Sequence, residues 1–431
     1  MITTKSLRHQ ELYRRTVDRW AGRHWGYFLS ARLPLYVFSA LCLGVLVVDP
    51  LGLAQEASSP PYAAINRDAV NYNGPGREVG HDLAGSEIRI GLLLPLTGPR
   101  QAEGEALRRA AQMAVDDDNA APLPARRLTL VTRDESGPWG QASTQIVNLV
   151  FDDQAVALIT SGEGGSAHLA EQVGNKIGVP ILTLSSDATT TEINLPWIFR
   201  LGPTDAAQAQ AFTTDIYQNR KLQRVLLLSQ NDRDGRMGGE AFLKAADEMH
   251  APAATQIVVD PGKIPEAMAA VNLSAAQAVV IWADAPTANR LVASVHSLRP
   301  TVPIYLCRKG AEGDLSGAGH LPLSGGDIKN ANQWIATAPE SPQVRADFYQ
   351  RYHQRFGTEP GIGAAEAYDA VRILAASLRQ SGPNRTRLRD ALAAVSAYPG
   401  ASGIISFDHA GNNTSQVTVL RLKDLELNSG R

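Results

Sequence analysis

From Ile88 onward the chain alternates short apolar runs with segments of helical period, and no other feature restricts the fold as strongly. Strands that read as continuous apolar runs are buried on both faces, which happens when helices cover both sides of a parallel sheet. The spacing predicts strands over 88–94, 128–132, 156–160, 181–184, 224–228, 256–259, 278–282 and 303–306. Between them, Leu107, Ala110, Ala111, Ala114 and Val115 build one apolar helical stripe, with Arg108, Arg109, Asp116 and Asp117 on the opposite face. Val344, Phe348, Tyr352 and Phe356 repeat every four residues, and Tyr368, Val371, Arg372, Leu374 and Ala375 outline another helix. "GIISFDHAGNNTSQVTVLRLK" reads as two strands around an Asn-rich turn at Gly411 and Asn412. The stretch from Gly310 to Pro342 is irregular, with "GGDIKNANQWIA" its one candidate strand, and suits a crossing between lobes. The chain of 431 residues is long enough for two lobes of roughly 150 residues each. The fold class expected is α/β: two Rossmann-like lobes with parallel sheets.

The N-terminal part has a different texture. Residues 33–48, "LPLYVFSALCLGVLVV", follow a stretch carrying Arg14, Arg15, Arg19, Arg23 and Arg32. A basic region before an apolar run is the layout of an export signal. The run is shorter than the roughly 20 residues of a spanning helix, and Gly52 and Ala54 offer a cleavage site after Ala54. Residues 1–54 are read as a signal peptide or, uncleaved, as an anchor touching the membrane only through 33–48. Residues 55–86, rich in Pro, Gly, Asn and Ala, are read as a tether. Cleavage removes Cys42 and leaves Cys307 alone, so no internal disulfide is expected in the exported chain. Lys and Arg (41) nearly balance Asp and Glu (43) without blocks of like charge, which argues against a nucleic-acid groove.

The turns after the strands decide what chemistry is open. A strand, a Gly-containing turn and a helix N-terminus is how phosphate sites are built. "PLTGPRQAEG" has neither G-x-x-x-x-G-K-[ST] nor G-x-G-x-x-G, so no nucleotide cofactor is expected. In "SGEGGSAHLAE", Ser166 lies two residues before His168, and residues two apart on a helix point in different directions, so the imidazole is poorly placed to activate the hydroxyl; the G-x-S-x-G elbow is absent as well. An enzyme is not expected. "VDDDNA" at 115–120 lacks a cation-loop pattern and reads as a solvated helix end, and the nine histidines lack metal-ligand spacing. No metal is expected. What remains is binding: "PLTGPRQAEG", "TSGEGGSAHLAE", "LSSDATTTE", "SQNDRDGRMGG" and "WADAPTAN" are polar strand-end turns, where open parallel sheets hold their ligands.

Together with these turns, the opening stretch "IRIGLLLPLTGPRQAEGEALRRAAQMAVDDDNA" and the segments "IFRLGPTDAAQAQAF", "FGTEPGIGAAEAYDAVRIL" and "GIISFDHAGN" resemble, in order, the type I periplasmic binding proteins of the branched-chain amino acid (Leu/Ile/Val) transporter class. The resemblance runs from about Ile88 to Lys423. It implies two lobes joined by three crossings, near Pro203, Ile328 and Gly403: 87–203 plus 329–402 as one lobe and 204–328 plus 403–425 as the other. It also implies a monomer that traps a small molecule when its hinge closes and presents it to ABC permease subunits in the periplasm. A tethered sensor or scaffold is the alternative from another class.

The resemblance carries over site residues position by position. Ser166 corresponds to a serine that contacts the ligand carboxylate, and Asp187, Ala188 and Thr189 to the turn that receives the amino acid head group. Glu103 stands at the first lip, and Asp234 and Asp284 on the opposite lobe. Relatives often carry aromatic side chains at the lip and opposite-lobe positions, and an acid in the loop after "PIYLC", where this chain has Arg308 and Lys309. Acids lining the cleft favour a ligand with cationic or many hydroxyl groups, because buried carboxylates need partners.

Overall fold

A computed structural model of the chain describes residues 82–120, 126–138, 140–192, 196–311, 332–337 and 342–422. The signal or anchor segment, nearly all of the tether and the crossing expected near Ile328 lie outside the described residues.

The first sheet comprises β1 (Glu87–Leu94), β2 (Arg127–Asp134), β3 (Ala157–Thr160), β4 (Ile181–Thr183) and β5 (Ile198–Arg200), all parallel, in the order β2-β1-β3-β4-β5. Helices α1 (Gln101–Ala120), α2 (Gln141–Val147), α3 (Gly164–Ile177) and α4 (Thr189–Glu192) connect these strands. The second sheet holds β6 (Val225–Gln230), β7 (Thr255–Val259), β8 (Ala278–Trp282), β9 (Ile304–Leu306) and β10 (Gln333–Thr337). Its parallel part runs β10-β9-β8-β6-β7, the order of the first sheet repeated, with antiparallel β13 (Thr418–Arg421) added beside β10. Helices α5 (Asp205–Thr213), α6 (Arg233–Glu248), α7 (Ile264–Ala269) and α8 (Ala285–Leu298) serve this sheet. The chain then returns to the first lobe as α9 (Pro342–Phe356), α10 (Ile362–Ser381) and α11 (Arg385–Ala393), followed by the short pair β11 (Tyr398–Pro399) and β12 (Ile404–Ile405).

Each sheet has an apolar layer on both faces, as its uninterrupted runs require. The stripe of α1 packs with Phe348, Tyr352, Tyr368 and Val371 over one face of the first sheet, while Leu149, Leu158, Ala170 and Ile181 fill the other. The faces of the second sheet are covered by Leu291, Val292 and Val295 and by Phe212, Phe242 and Tyr305.

Several expectations change. The strand Gln333–Thr337 pairs with β9 in the second sheet, so the chain stays in that lobe past residue 329. The crossing expected near Gly403 comes later: β12 still pairs with β11, and Ile405 packs in the first lobe's core. The strands on either side of the Asn-rich turn belong to different sheets, because Asn412 bridges back to Arg200 before the chain reaches β13. The acids of "VDDDNA" are not merely solvated. Asp118 is buried and paired with Arg379, Asp117 meets Arg351 at 2.6 Å and Asp116 meets Arg355 at 2.6 Å.

Candidate ligand-binding site

In a sheet of this order the strand connections diverge between its first and third strands, opening a crevice beyond their carboxyl ends. In the first lobe that place lies between β1 and β3. The turn after β1 is tight because α1 comes close to Pro95: a Cβ at Gly104 would collide with the Pro95 carbonyl. Arg100 is thereby set beside Glu103 in the first turn of α1. Its Nε and Nη2 donate to Glu103 Oε2 and Oε1 at 2.9 and 2.6 Å, and its Nη1 donates to Glu163 Oε2 at 2.7 Å. Glu103, at the first lip, is therefore a buried clamp on a guanidinium.

Glu163, the residue before α3, also meets the opposite lobe. Lys309, just beyond β9, donates from Nζ to Glu163 Oε2 at 2.8 Å and to Asp234 Oδ2. Asp234 Oδ2 in turn accepts from the backbone N–H of Gly164 at 3.3 Å, at the N-terminus of α3. Burial opposes the Lys309 charge, but Asp234 and Glu163 outweigh it and hold the ammonium well above its ordinary value. Burial pushes the Asp234 carboxyl up despite Lys309.

A second bridge crosses the cleft alongside. Arg233, the first residue of α6, donates from Nε and Nη2 to Asp187 Oδ2 at 3.0 and 2.7 Å. Asp187 Oδ1 accepts from the Thr189 N–H at 3.0 Å and its hydroxyl at 2.6 Å. His168 Nε2 lies 2.8 Å from Thr189 Oγ1 and 3.4 Å from Asp187 Oδ2, and its Nδ1 lies 3.0 Å from Glu171. Hydrogen bonding to Asp187 and then to Glu171 pushes the imidazole up to about 9. Burial alone would raise the Asp187 carboxyl, but His168, Thr189 and Arg233 hold it well below the usual carboxylate range.

Among the positions singled out in the sequence, Asp187, Thr189 and Asp234 thus come together at the cleft. The Ala188 carbonyl is turned inward, accepting from the Thr191 N–H at 3.1 Å within α4. Ser166 is buried in the first turn of α3 and lines a first-lobe cavity of about 510 Å³ beside the cleft. Among the described residues, no hydrogen bond joins it to Asp187 or Thr189. Asp284 caps α8, accepting from the Thr287 N–H at 2.9 Å and from Gln230 Nε2 at 3.1 Å. The sequence pattern does not single out Arg100, Glu135, Glu163 or Arg233. The signal available for them was only that each charge sits in a polar strand-end turn, with no spacing rule to mark its partner.

Residues 87–427 match the sequence profile described as periplasmic binding protein. The chain belongs to that family. It is similar to the Leu/Ile/Val-binding protein BraC3 of Rhizobium johnstonii, with 26% identity over 78% of this chain and 91% of that one. The fold is shared with the branched-chain amino acid transporter substrate-binding protein LivJ of Streptococcus pneumoniae, solved with isoleucine, at a TM-score of 0.68 and 20% identity over 79% of this chain and 97% of that one. It is shared as well with a solute-binding protein of an ABC transporter from Rhodopseudomonas palustris solved with benzoate, at a TM-score of 0.68 and 19% identity over 78% and 93%.

As a periplasmic binding protein, the molecule has the two parallel-sheet lobes that its sequence implied, and its family is one of solute-binding proteins. A third contact between the lobes of this periplasmic binding protein joins Arg308 to Glu366 of α10, both buried. Arg308 and Lys309 therefore both turn from the loop after β9 toward acids of the other lobe. Among the described residues, no helix is long and apolar enough to cross a membrane.

Proposed function

We propose that this protein is exported to the periplasm, traps a small polar organic ligand between its lobes and hands it to the membrane subunits of an ABC importer as a monomer. The observation that carries this reading is the pairing of Glu163 with Lys309 and of Asp187 with Arg233. Strand-end turns of both sheets converge there, so a ligand touching both lobes stabilises only their closed arrangement. The Leu/Ile/Val names of its relatives favour an amino acid or a related compound, while the charges at the lips speak against a purely aliphatic side chain.

The test is purification of the exported chain followed by mass spectrometry of what it carries, then titration of tryptophan emission with the recovered compound. Trp282, whose indole N–H donates to Asp205 at 3.1 Å, reports from the end of β8. Failure of every small molecule to bind would leave transport without support.

One observation favours a second reading, that of a sensor or scaffold: three ion-pair contacts made by the protein's own side chains already hold the lobes together. Small-angle scattering with and without the recovered compound separates the two, because a scaffold keeps one radius of gyration in both conditions.

A further inference from the structure

Counted with every carboxyl ionised, charge at the first lip does not balance. Arg100 and Lys309 provide two cations, and Glu103, Glu135, Glu163 and Asp234 provide four carboxylates linked to them or to each other. The neighbouring set of Arg233, His168, Asp187 and Glu171 is balanced once the imidazole is charged. The excess of acid therefore sits on the Arg100 side.

Two buried oxygens mark where it is felt. Glu135 is 8% exposed; its Oε1 accepts from the Ser161 hydroxyl at 2.6 Å, and its Oε2 has no partner. Both bonds made by Asp234 fall on Oδ2, leaving its buried Oδ1 without a partner. A buried polar atom without a hydrogen bond is rare in a folded protein and calls for an explanation.

Glu135 also lines the cavity of about 510 Å³, with Thr97, Pro99, Arg100, Glu163 and Leu169 around it. Arg100 does not satisfy it: three of its five N–H groups go to Glu103 and Glu163, and its nearest approach to Glu135 is 3.7 Å, to Oε1 and beyond hydrogen-bonding distance. Among the described residues no group of three or more His, Cys, Asp or Glu is arranged to hold a metal ion, so these carboxylates do not form a cation cage.

We infer that this cavity receives an organic ammonium ion, a primary amine with a short apolar stem, whose charge lies against Glu135 and Glu163 while its carbons contact Pro99 and Leu169. The inference rests on the binding reading above and names the class of ligand for this side of the cleft. Burial raises the Glu135 carboxyl to about 7, with Arg100 and Ser161 acting against the shift and Glu163 and Glu103 adding to it. Near neutrality part of the population carries a proton there, and an arriving ammonium expels it: the carboxyl O–H bond breaks, the proton passes to buffer, and the carboxylate keeps the electron pair and accepts from the amine.

The experiment is calorimetry of the full exported chain with 1,4-diaminobutane, L-leucine, benzoate and magnesium chloride as separate probes. Diaminobutane binding with proton release, seen as a heat that depends on the buffer's ionisation enthalpy, is the expected result, as is an affinity that rises from about pH 6 to about pH 8. Glu135→Gln keeps the shape, removes the proton release and weakens diaminobutane by at least about tenfold. Ser166→Phe narrows the cavity from α3 while keeping the Glu135 carboxyl and also abolishes binding, while circular dichroism confirms that each variant is folded. Binding of leucine or benzoate but not of the amine overturns this inference and leaves solute binding standing. Magnesium heat equal to the amine's overturns the organic class, and silence from all four probes counts against both readings.

Discussion

Lys309 of the second lobe lies 2.8 Å from Glu163 of the first, and the same ammonium also holds Asp234. One side chain thus ties a helix N-terminus on one lobe to a helix start on the other. Lys309→Met would leave two carboxylates without their shared cation. Removing one partner of a buried ion pair costs about 3–5 kcal/mol. Thermal denaturation should show that loss, and scattering should show a larger radius of gyration; an unchanged melting temperature would refute the bridge.

The Asp187 bridge should have a pH window of its own. His168, raised to about 9, contributes its full stabilisation below its ordinary value of 6.5 and loses it as pH rises through the folded value. Asp187, depressed, contributes above its ordinary 3.8 and loses that stabilisation as pH falls through its lower folded value. The bridge is therefore strongest between about pH 4 and about pH 6.5. Urea denaturation across pH should show His168→Gln flattening only the alkaline limb and Asp187→Asn flattening both.

Asp284 is predicted to matter for stability alone. Both its oxygens serve the start of α8 and Gln230, so Asp284→Ala should lower stability by about 0.5–2 kcal/mol, as loss of a helix cap does. Affinity for 1,4-diaminobutane should stay at the wild-type value in calorimetry; a large drop would place Asp284 in the site after all.

Gly98, in the turn after β1, and Gly104, in the first turn of α1, should respond differently to alanine. At Gly104 a Cβ meets the Pro95 carbonyl, so α1 must move, at a cost of about 1–3 kcal/mol or more. At Gly98 no atom lies within 4 Å of an added Cβ, and only its φ of +74° resists, at about 1–2 kcal/mol. Chemical denaturation should rank Gly104→Ala as the more damaging and the more disruptive of Arg100.

The strands were legible because burial on both faces leaves a continuous apolar run, and β1, β6 and β8 lie where those runs are. β5 was not, because Ile198–Arg200 is short and ends in a charge that reads as surface. Arg200 is nonetheless fully buried, its guanidinium spent on the Ser185 and Asp187 carbonyls and on the Thr190 and Thr191 hydroxyls. The position of the cleft was legible from the polar turns after strands. Its wiring was not: Glu163 and Lys309 are 146 residues apart, and nothing local in either turn marks the other as its partner. Glu103 illustrates the limit, since its departure from relatives was visible while its use as a clamp on Arg100 depends on geometry.

The interleaving of the lobes has a consequence for synthesis. The last strand of the first sheet ends at Arg200, yet α10, which covers one face of that sheet, begins at Ile362, after β6 to β10 have been made. A chain emerging from a ribosome or a secretion channel must therefore leave exposed the part of that face which α1 does not cover until the second lobe has passed. That interval is where a holding chaperone has most to protect, and where truncated chains should aggregate.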